Sequence, residues 1–139
     1  MEIIADLERA VHLIGRHLEA TVGDLRITQA EAHVLAQLAR HGRTPIGVLH
    51  QRFGHKRSTL TSVLDRLERR GFARRELNPE DRRSFLVRLT PAGRRAAARI
   101  TKTLDTLEQE LDQKQAASIK SVVETLEAVA SSSPASTSR

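Results

Sequence analysis

The chain has 139 residues, with 23 Lys/Arg against 17 Asp/Glu for a formal net charge of +6, three phenylalanines, and no cysteine. That length suits one domain with a core of its own, and the missing thiols exclude disulfides, thiolate nucleophiles and cysteine-based redox switching. No run of about eighteen apolar residues and no basic-then-apolar leader is present, so the expectation is a cytoplasmic protein, neither membrane-spanning nor secreted.

In chain order, Met1 to about Val22 reads as one long helix. Ile4, Leu7, Val11, Ile14 and Leu18 alternate spacings of three and four, a heptad-like stripe that asks for a partner. Gly23 is expected to end it. Thr28 with Glu31 has the capping-box spacing and opens a second helix, whose apolar side is Ala32, Leu35, Leu38 and Ala39. Thr44-Pro45 reads as an N-cap and first-turn proline for a short third helix to about Phe53. Gly54-His55 turns into the fourth.

The fourth helix and the hairpin after it organise the chain. Leu60, Val63, Leu64 and Leu67 fall at i, i+3, i+4 and i+7 and define a buried stripe. Arg57, Ser58, Thr59, Thr61, Ser62, Asp65, Arg66 and Arg69 take the opposite side. Small hydroxyls near a helix start, backed by arginines, suit an end that approaches phosphates and base edges. Gly71 stops the helix. Phe72 to Leu77 and Ser84 to Leu89 then read as hairpin strands around the turn formers of Asn78 to Arg83. Helix, turn, helix and a basic-tipped hairpin make a winged helix-turn-helix: a mainly α fold with a small β-hairpin wing. Thr90-Pro91 opens a fifth helix to about Asp112, and a sixth, from about Gln115 to Ala130, is expected to bury Ile119, Val122, Val123, Leu126 and Val129. Residues 131–139, Ser-rich, are expected to be disordered.

Charge is segregated along the chain. From Arg52 to Lys102 there are fifteen basic and five acidic side chains, a net of +10, whereas the rest has eight and twelve, a net of −4. A nucleic-acid footprint has this pattern.

Leu25-Arg26-Ile27-Thr28, the RLERRGF run at Arg66 to Phe72, the wing sequence Asp81-Arg82-Arg83 and Leu89-Thr90-Pro91-Ala92-Gly93 together resemble the MarR family of bacterial transcription regulators. The resemblance runs to about residue 130. It implies a single MarR-type domain over 1–130, with a DNA-binding lobe at about 28–90 and long terminal dimerisation helices at about 1–22 and 91–130. It further implies a homodimer whose helices 1, 5 and 6 interlock, on a pseudo-palindromic double-stranded operator. Arg83 matches the wing arginine that enters the minor groove, Asp81 the carboxylate that orients it, and Arg82 a phosphate contact. Arg57, Ser58, Thr59, Thr61, Ser62 and Arg66 fall on the major-groove face, with Arg66 or Arg57 as the guanine reader. Arg74, Arg75 and Arg88 are either phosphate contacts or solvated strand positions.

The family's effector pocket lies near helices 1, 2 and 5, where His12, Arg16, His33 and Arg40 could hold a carboxylate or phenolate; His17 also falls there. Polar residues on solvated faces are the plainer account of them. A metal held by His12, His17, His33, His41 and Glu31 is weighed and not adopted, since only Glu8 and His12 have one-turn ligand spacing. No cofactor is expected. Ser58, His50 and Asp65 supply catalytic residue types without a common direction, so no enzyme is expected. The functional expectation is a sequence-specific DNA-binding regulator, a repressor released by a small-molecule effector. The alternative is a ligand-independent architectural or non-specific DNA-binding protein.

Overall fold

The computed structural model describes residues 1–132. It contains α1 (Ile3–Val22), a 3-10 turn (Gly23–Leu25), α2 (Gln29–His41), β1 (Thr44–Pro45), α3 (Ile46–Phe53), α4 (Arg57–Arg69), β2 (Ala73–Asn78), β3 (Asp81–Leu89), α5 (Pro91–Gln109) and α6 (Gln113–Ser132). The chain divides into two compact units, residues 1–105 and the residues from Thr106 onward.

In the first unit, Val34, Leu35, Leu38, Leu49, Val63, Leu64, Leu67, Val87 and Ile100 are fully buried, so the core sits where α2, α3, α4, the sheet and the first part of α5 converge. The four leucine and valine positions read from the α4 stripe are all buried. The sheet is antiparallel with order β1-β3-β2. Thr44-Pro45 does not open α3 as the sequence suggests. It pairs with Val87 and Leu86 as a short edge strand, where a residue lacking an N–H costs no ladder bond, and α3 starts one residue later. The wing turn is also tighter than expected. Asp81, Arg82 and Arg83 already belong to β3, and only Pro79-Glu80 separates the strands, with an irregularity between Leu77 and Asn78. Asn78 sets that turn by accepting the Glu80 amide on its side-chain oxygen (3.0 Å).

Two helix ends differ from expectation. Gly23 stays right-handed and continues into the 3-10 turn, and Arg26 takes the left-handed conformation instead (φ 50°). The α6 start carries a reciprocal cap. The Asp112 carboxylate accepts the Gln115 amide (2.7 Å), and the Gln115 side-chain oxygen accepts the Asp112 amide (3.0 Å). The helix runs on to Ser132, so Ser131 and Ser132 leave the expected disordered tail, and the rest of that tail lies outside the described residues.

The terminal helices keep their apolar stripes in the open. On α1, only Leu18 and Val22 are buried, while Ile3, Ile4, Val11, Leu13 and Ile14 are exposed. On α6 no residue is buried, and Ile119, Val123, Leu126 and Val129 are exposed. The sequence reading that α6 buries these side chains is therefore wrong for the single chain: a stripe at helical spacing records that a face will be covered, not by which molecule.

The segment from Leu89 to Gly93 knots the lobe together. The Thr90 amide donates to the Phe72 carbonyl (3.0 Å), the Thr90 hydroxyl donates to the Gly71 carbonyl, and the Gly93 amide donates to the Thr90 hydroxyl oxygen (3.0 Å), which caps α5. Gly93 is buried, and a Cβ there would stand 1.8 Å from the Phe72 carbonyl oxygen. Because that obstacle is backbone, it cannot rotate away. Gly93→Ala should lower unfolding free energy by about 3 kcal/mol or more. Gly47→Ala in α3, where nothing lies within 4 Å, should be neutral or stabilising. Urea denaturation of both variants checks this, and equal stabilities would refute it.

Candidate nucleic-acid interface

α4 begins after Lys56, whose extended backbone (φ −61°, ψ 151°) serves as N-cap without a side-chain bond. No side chain caps this first turn, where Arg57 and Ser58 are exposed and the Thr59 amide donates to the Lys56 carbonyl (3.1 Å). Thr61 and Ser62 are exposed one turn on, and Thr59 is half-buried. This row can donate to phosphates and meet base edges without holding the backbone away. Arg66 is placed differently from the others. Its Nε donates to Glu31 Oε1 (3.2 Å), and Glu31 is buried at 4 % exposure. The same carboxylate accepts the Thr28 hydroxyl (3.1 Å), while Thr28 accepts the Glu31 amide (3.1 Å). The α2 capping pair thus extends to α4.

At the wing tip, Asp81 Oδ1 accepts both the Arg83 amide (3.1 Å) and Arg83 Nε (3.4 Å). The Arg83 side chain is 94 % exposed, so the guanidinium is aimed from one side and open on the other. Arg82 is exposed beside it.

Helix and wing are held in one orientation by Arg75 of β2. Its guanidinium reaches Glu68 (2.9 Å) and Asp65 (2.6 Å) of α4, and its amide also donates to Glu68 (2.8 Å). These bonds raise the Arg75 pKa, with the Glu68 hydrogen bond the largest cause. Arg75 and Arg88, candidates for phosphate contact in the sequence, are engaged within the protein; Arg88 pairs with Glu76 (3.3 Å). Arg74 is exposed. The sequence carries a signal for the Arg75 clamp: Asp65 and Glu68 share one face at i, i+3, and the Arg74-Arg75 pair follows across the Gly71 turn, with Arg75 on the strand face of buried Ala73.

The four effector candidates are not brought together. His12 and Arg16 line a cleft of about 290 Å³ between α1 and the start of α2. His33 lines a second, of about 370 Å³, with Val11, Ile14, His55 and Leu104. The two share Leu18, Gln29 and Ala32 as walls. Gln29 donates from Nε2 to the Val11 carbonyl (2.8 Å), which ties α2 to α1. Arg40 belongs to neither, being paired with Asp105 (2.8 Å). Among the described residues, no three His, Asp or Glu side chains gather to hold a metal ion, and Glu31 is taken by Arg66 and Thr28. Of the catalytic residue types, Asp65 is held by Arg75 and His50 lines a small cleft with Arg57 and Thr61.

His33, Phe53 and His55 form a ring column, with centroids 5.5 Å and 4.3 Å apart. The His33 pKa is lowered from 6.5, first by burial and then by the charge on His55.

Residues 27–85 match the family model of the MarR family. The regulator PecS of Dickeya dadantii is 36 % identical over 97 residues, which are 67 % of this chain and 58 % of PecS. The matches span 41 % to 58 % of the length of the curated relatives. Among solved structures, S. aureus MepR in its DNA-binding conformation superposes with a TM-score of 0.79 at 18 % identity, covering 93 % of this chain and 98 % of MepR. Bordetella bronchiseptica BpsR, whose DNA binding is regulated by 6-hydroxynicotinic acid, superposes with a TM-score of 0.71 at 23 % identity, covering 91 % of this chain and 99 % of BpsR. At these identities the structures establish the shared fold, a winged helix-turn-helix. No helix among the described residues is long and apolar enough to cross a membrane.

The clamp and the ring column each have a measurable effect. Arg75→Met should lower stability by about 1–2 kcal/mol, allowing for partial exposure of the cluster, and should speed amide exchange in β2 and β3; unchanged exchange would remove Arg75 as the helix–wing clamp. For His33, the unfolded chain takes up a proton near pH 6.5 while the folded protein resists until lower pH. Stability therefore falls as pH drops below 6.5 and levels off beneath the folded pKa. Thermal melts of wild type and His33→Gln between about pH 7.5 and about 5 should show a shallower decline in the variant.

Proposed function

Because the chain belongs to the MarR family, we propose that it is a sequence-specific double-stranded DNA-binding transcription regulator, working as a repressor that a small anionic effector releases. The observation that carries the reading is the Arg83–Asp81 pair. An almost fully exposed guanidinium is held in direction by a carboxylate on a wing that Arg75 fixes to α4. An arginine so placed suits a narrow minor groove, where negative potential is concentrated. The hydroxyl row from Ser58 to Ser62 would take the adjacent major groove. Arg57 is then the better candidate for a guanine edge, since Arg66 is held by Glu31.

A second copy of the chain would cover the open stripes of α1 and α6. Such a dimer would set two α4 helices about one helical turn apart, ~10 base pairs, on a pseudo-palindrome. Protein seated there would block polymerase, hence repression. BpsR, which answers to an aromatic carboxylic acid, makes an anion of that class reasonable for the His12–Arg16 cleft. Gln29 borders that cleft, and Glu31, two residues on, holds Arg66 of α4, so an occupant that displaced Gln29 would act on the recognition helix through the start of α2. His33 would contribute from the neighbouring cleft, and Arg40, paired with Asp105, would stabilise α2 rather than bind effector.

Footprinting on the DNA upstream of the gene and its neighbours, across a salt series, tests this. A protected palindrome of roughly 20 base pairs is expected. Salt-sensitive binding without a protected site would favour the architectural alternative. Arg83→Ala should weaken operator binding at least tenfold and lower the salt slope by about one per protomer, with the melting temperature unchanged. Wild-type affinity in that variant would overturn the wing assignment.

A further inference from the structure

Among the described residues, the large apolar side chains left exposed lie on α1 and at Met1 before it, on α6 and the turn before it, and on the wing, where Leu77 and Phe85 are 59 % and 44 % exposed. They are directly opposed across β2 and β3. The chain has three phenylalanines. Phe53 is buried in the core, and Phe72 is half-buried beneath the Arg70 guanidinium (4.9 Å). The third stands on a hairpin whose tip is otherwise charged or polar.

The pair's position carries more than its exposure. Alternate residues of a strand share a face, so Ala73, Arg75 and Leu77 point the same way, as do Phe85, Val87 and Leu89 across from them. Ala73, Val87 and Leu89 are buried, and Arg75 on this face grips α4. Leu77 and Phe85 therefore continue, toward the wing tip, the face that the sheet turns to α4. Arg82 and Arg83 lie just beyond them at the tip.

We infer that Leu77 and Phe85 form an apolar docking surface for the deoxyribose edge of the DNA backbone, between the groove read by α4 and the groove entered by Arg83. This rests on the DNA-binding reading above. The duplex rim is polyanionic, but its sugars present C–H surface between the phosphates. An exposed apolar pair with Arg82 and Arg83 at the tip beyond it matches that alternation, whereas an apolar protein partner covering the tip would have to bury those arginines. Sugar contact releases no counterions. The pair should thus add affinity that salt does not erode, in contrast to Arg83.

The test uses the full chain and a duplex selected by the wild-type protein from a randomised pool. In L77T/F85T, threonines keep the strand preference while removing the apolar surface. The expected result is about tenfold weaker binding at every salt concentration, with the slope of log affinity against log salt unchanged. Phe85→Leu should retain most of the affinity. Amide exchange in β2 and β3 and the oligomeric state by ultracentrifugation should match wild type. Wild-type affinity in the double variant would overturn the inference while leaving the DNA reading intact. Faster hairpin exchange accompanying the loss would overturn it in favour of a strand-stabilising role, and a changed oligomeric state in favour of a contact between copies. Failure of the wild-type protein to select or bind any duplex would overturn the DNA reading and this inference together.

Discussion

The winged-helix lobe depends on one close approach: the Phe72 carbonyl lying over Gly93 at a distance that no side chain allows. That carbonyl accepts the Thr90 amide, and Thr90 in turn reaches Gly71 and the Gly93 amide. Three elements meet there. The end of α4 is turned by Gly71 in the left-handed region (φ 74°), β3 arrives at Leu89, and α5 departs at Pro91. Because these hydrogen bonds tie all three together, the hairpin leaves and returns at fixed points. The wing's direction is thereby set at its base before any ion pair acts on it.

Arg75 completes what the knot begins. A hairpin rooted at one end can still swing, and a two-residue turn at the other offers no brace. By joining β2 to both Asp65 and Glu68, the guanidinium converts a hinge into a bracket. The cluster is only partly exposed, so solvent weakens these bonds less than it would weaken a surface pair. Under the proposed function such rigidity would favour groove recognition, since disorder in the free wing would have to be frozen out on binding.

Much of this was legible in the sequence because local rules and global packing agree there. The α4 stripe, the Thr28–Glu31 cap, the Gly71 stop and the Thr90-Pro91 start each rest on spacing within one element, and each has its expected partner in the structure. Misreadings arose where a residue's partner lies far along the chain. Thr44-Pro45 has the grammar of a helix start, and only β3, some forty residues later, makes it a strand. Periodicity places Arg66 on the outward face of α4, and only Glu31, reached across the fold, gives it a partner. The exposed α6 stripe shows the same limit in another form: periodicity reports an apolar face without naming its neighbour. Arg40 and His33 share one side of α2 but stand seven residues apart, and about two turns of helix put one against Asp105 and the other beside Phe53.

Under the proposed function, the Arg66–Glu31 bond would have a further consequence for base discrimination. Glu31 is almost wholly buried, so an Arg66 that left for a guanine would strand a carboxylate with little beyond the Thr28 hydroxyl and its own cap to compensate it. The arginine is better kept at home than spent in the groove. A guanine contact would then fall to Arg57, and Thr61, Ser62 and their neighbours would be left to meet phosphates and the 5-methyl of thymine. Such a protein would be sensitive to uracil in place of thymine, and would tell its site from the rest of the genome by methyl pattern and groove width alongside a single guanine contact at the helix start.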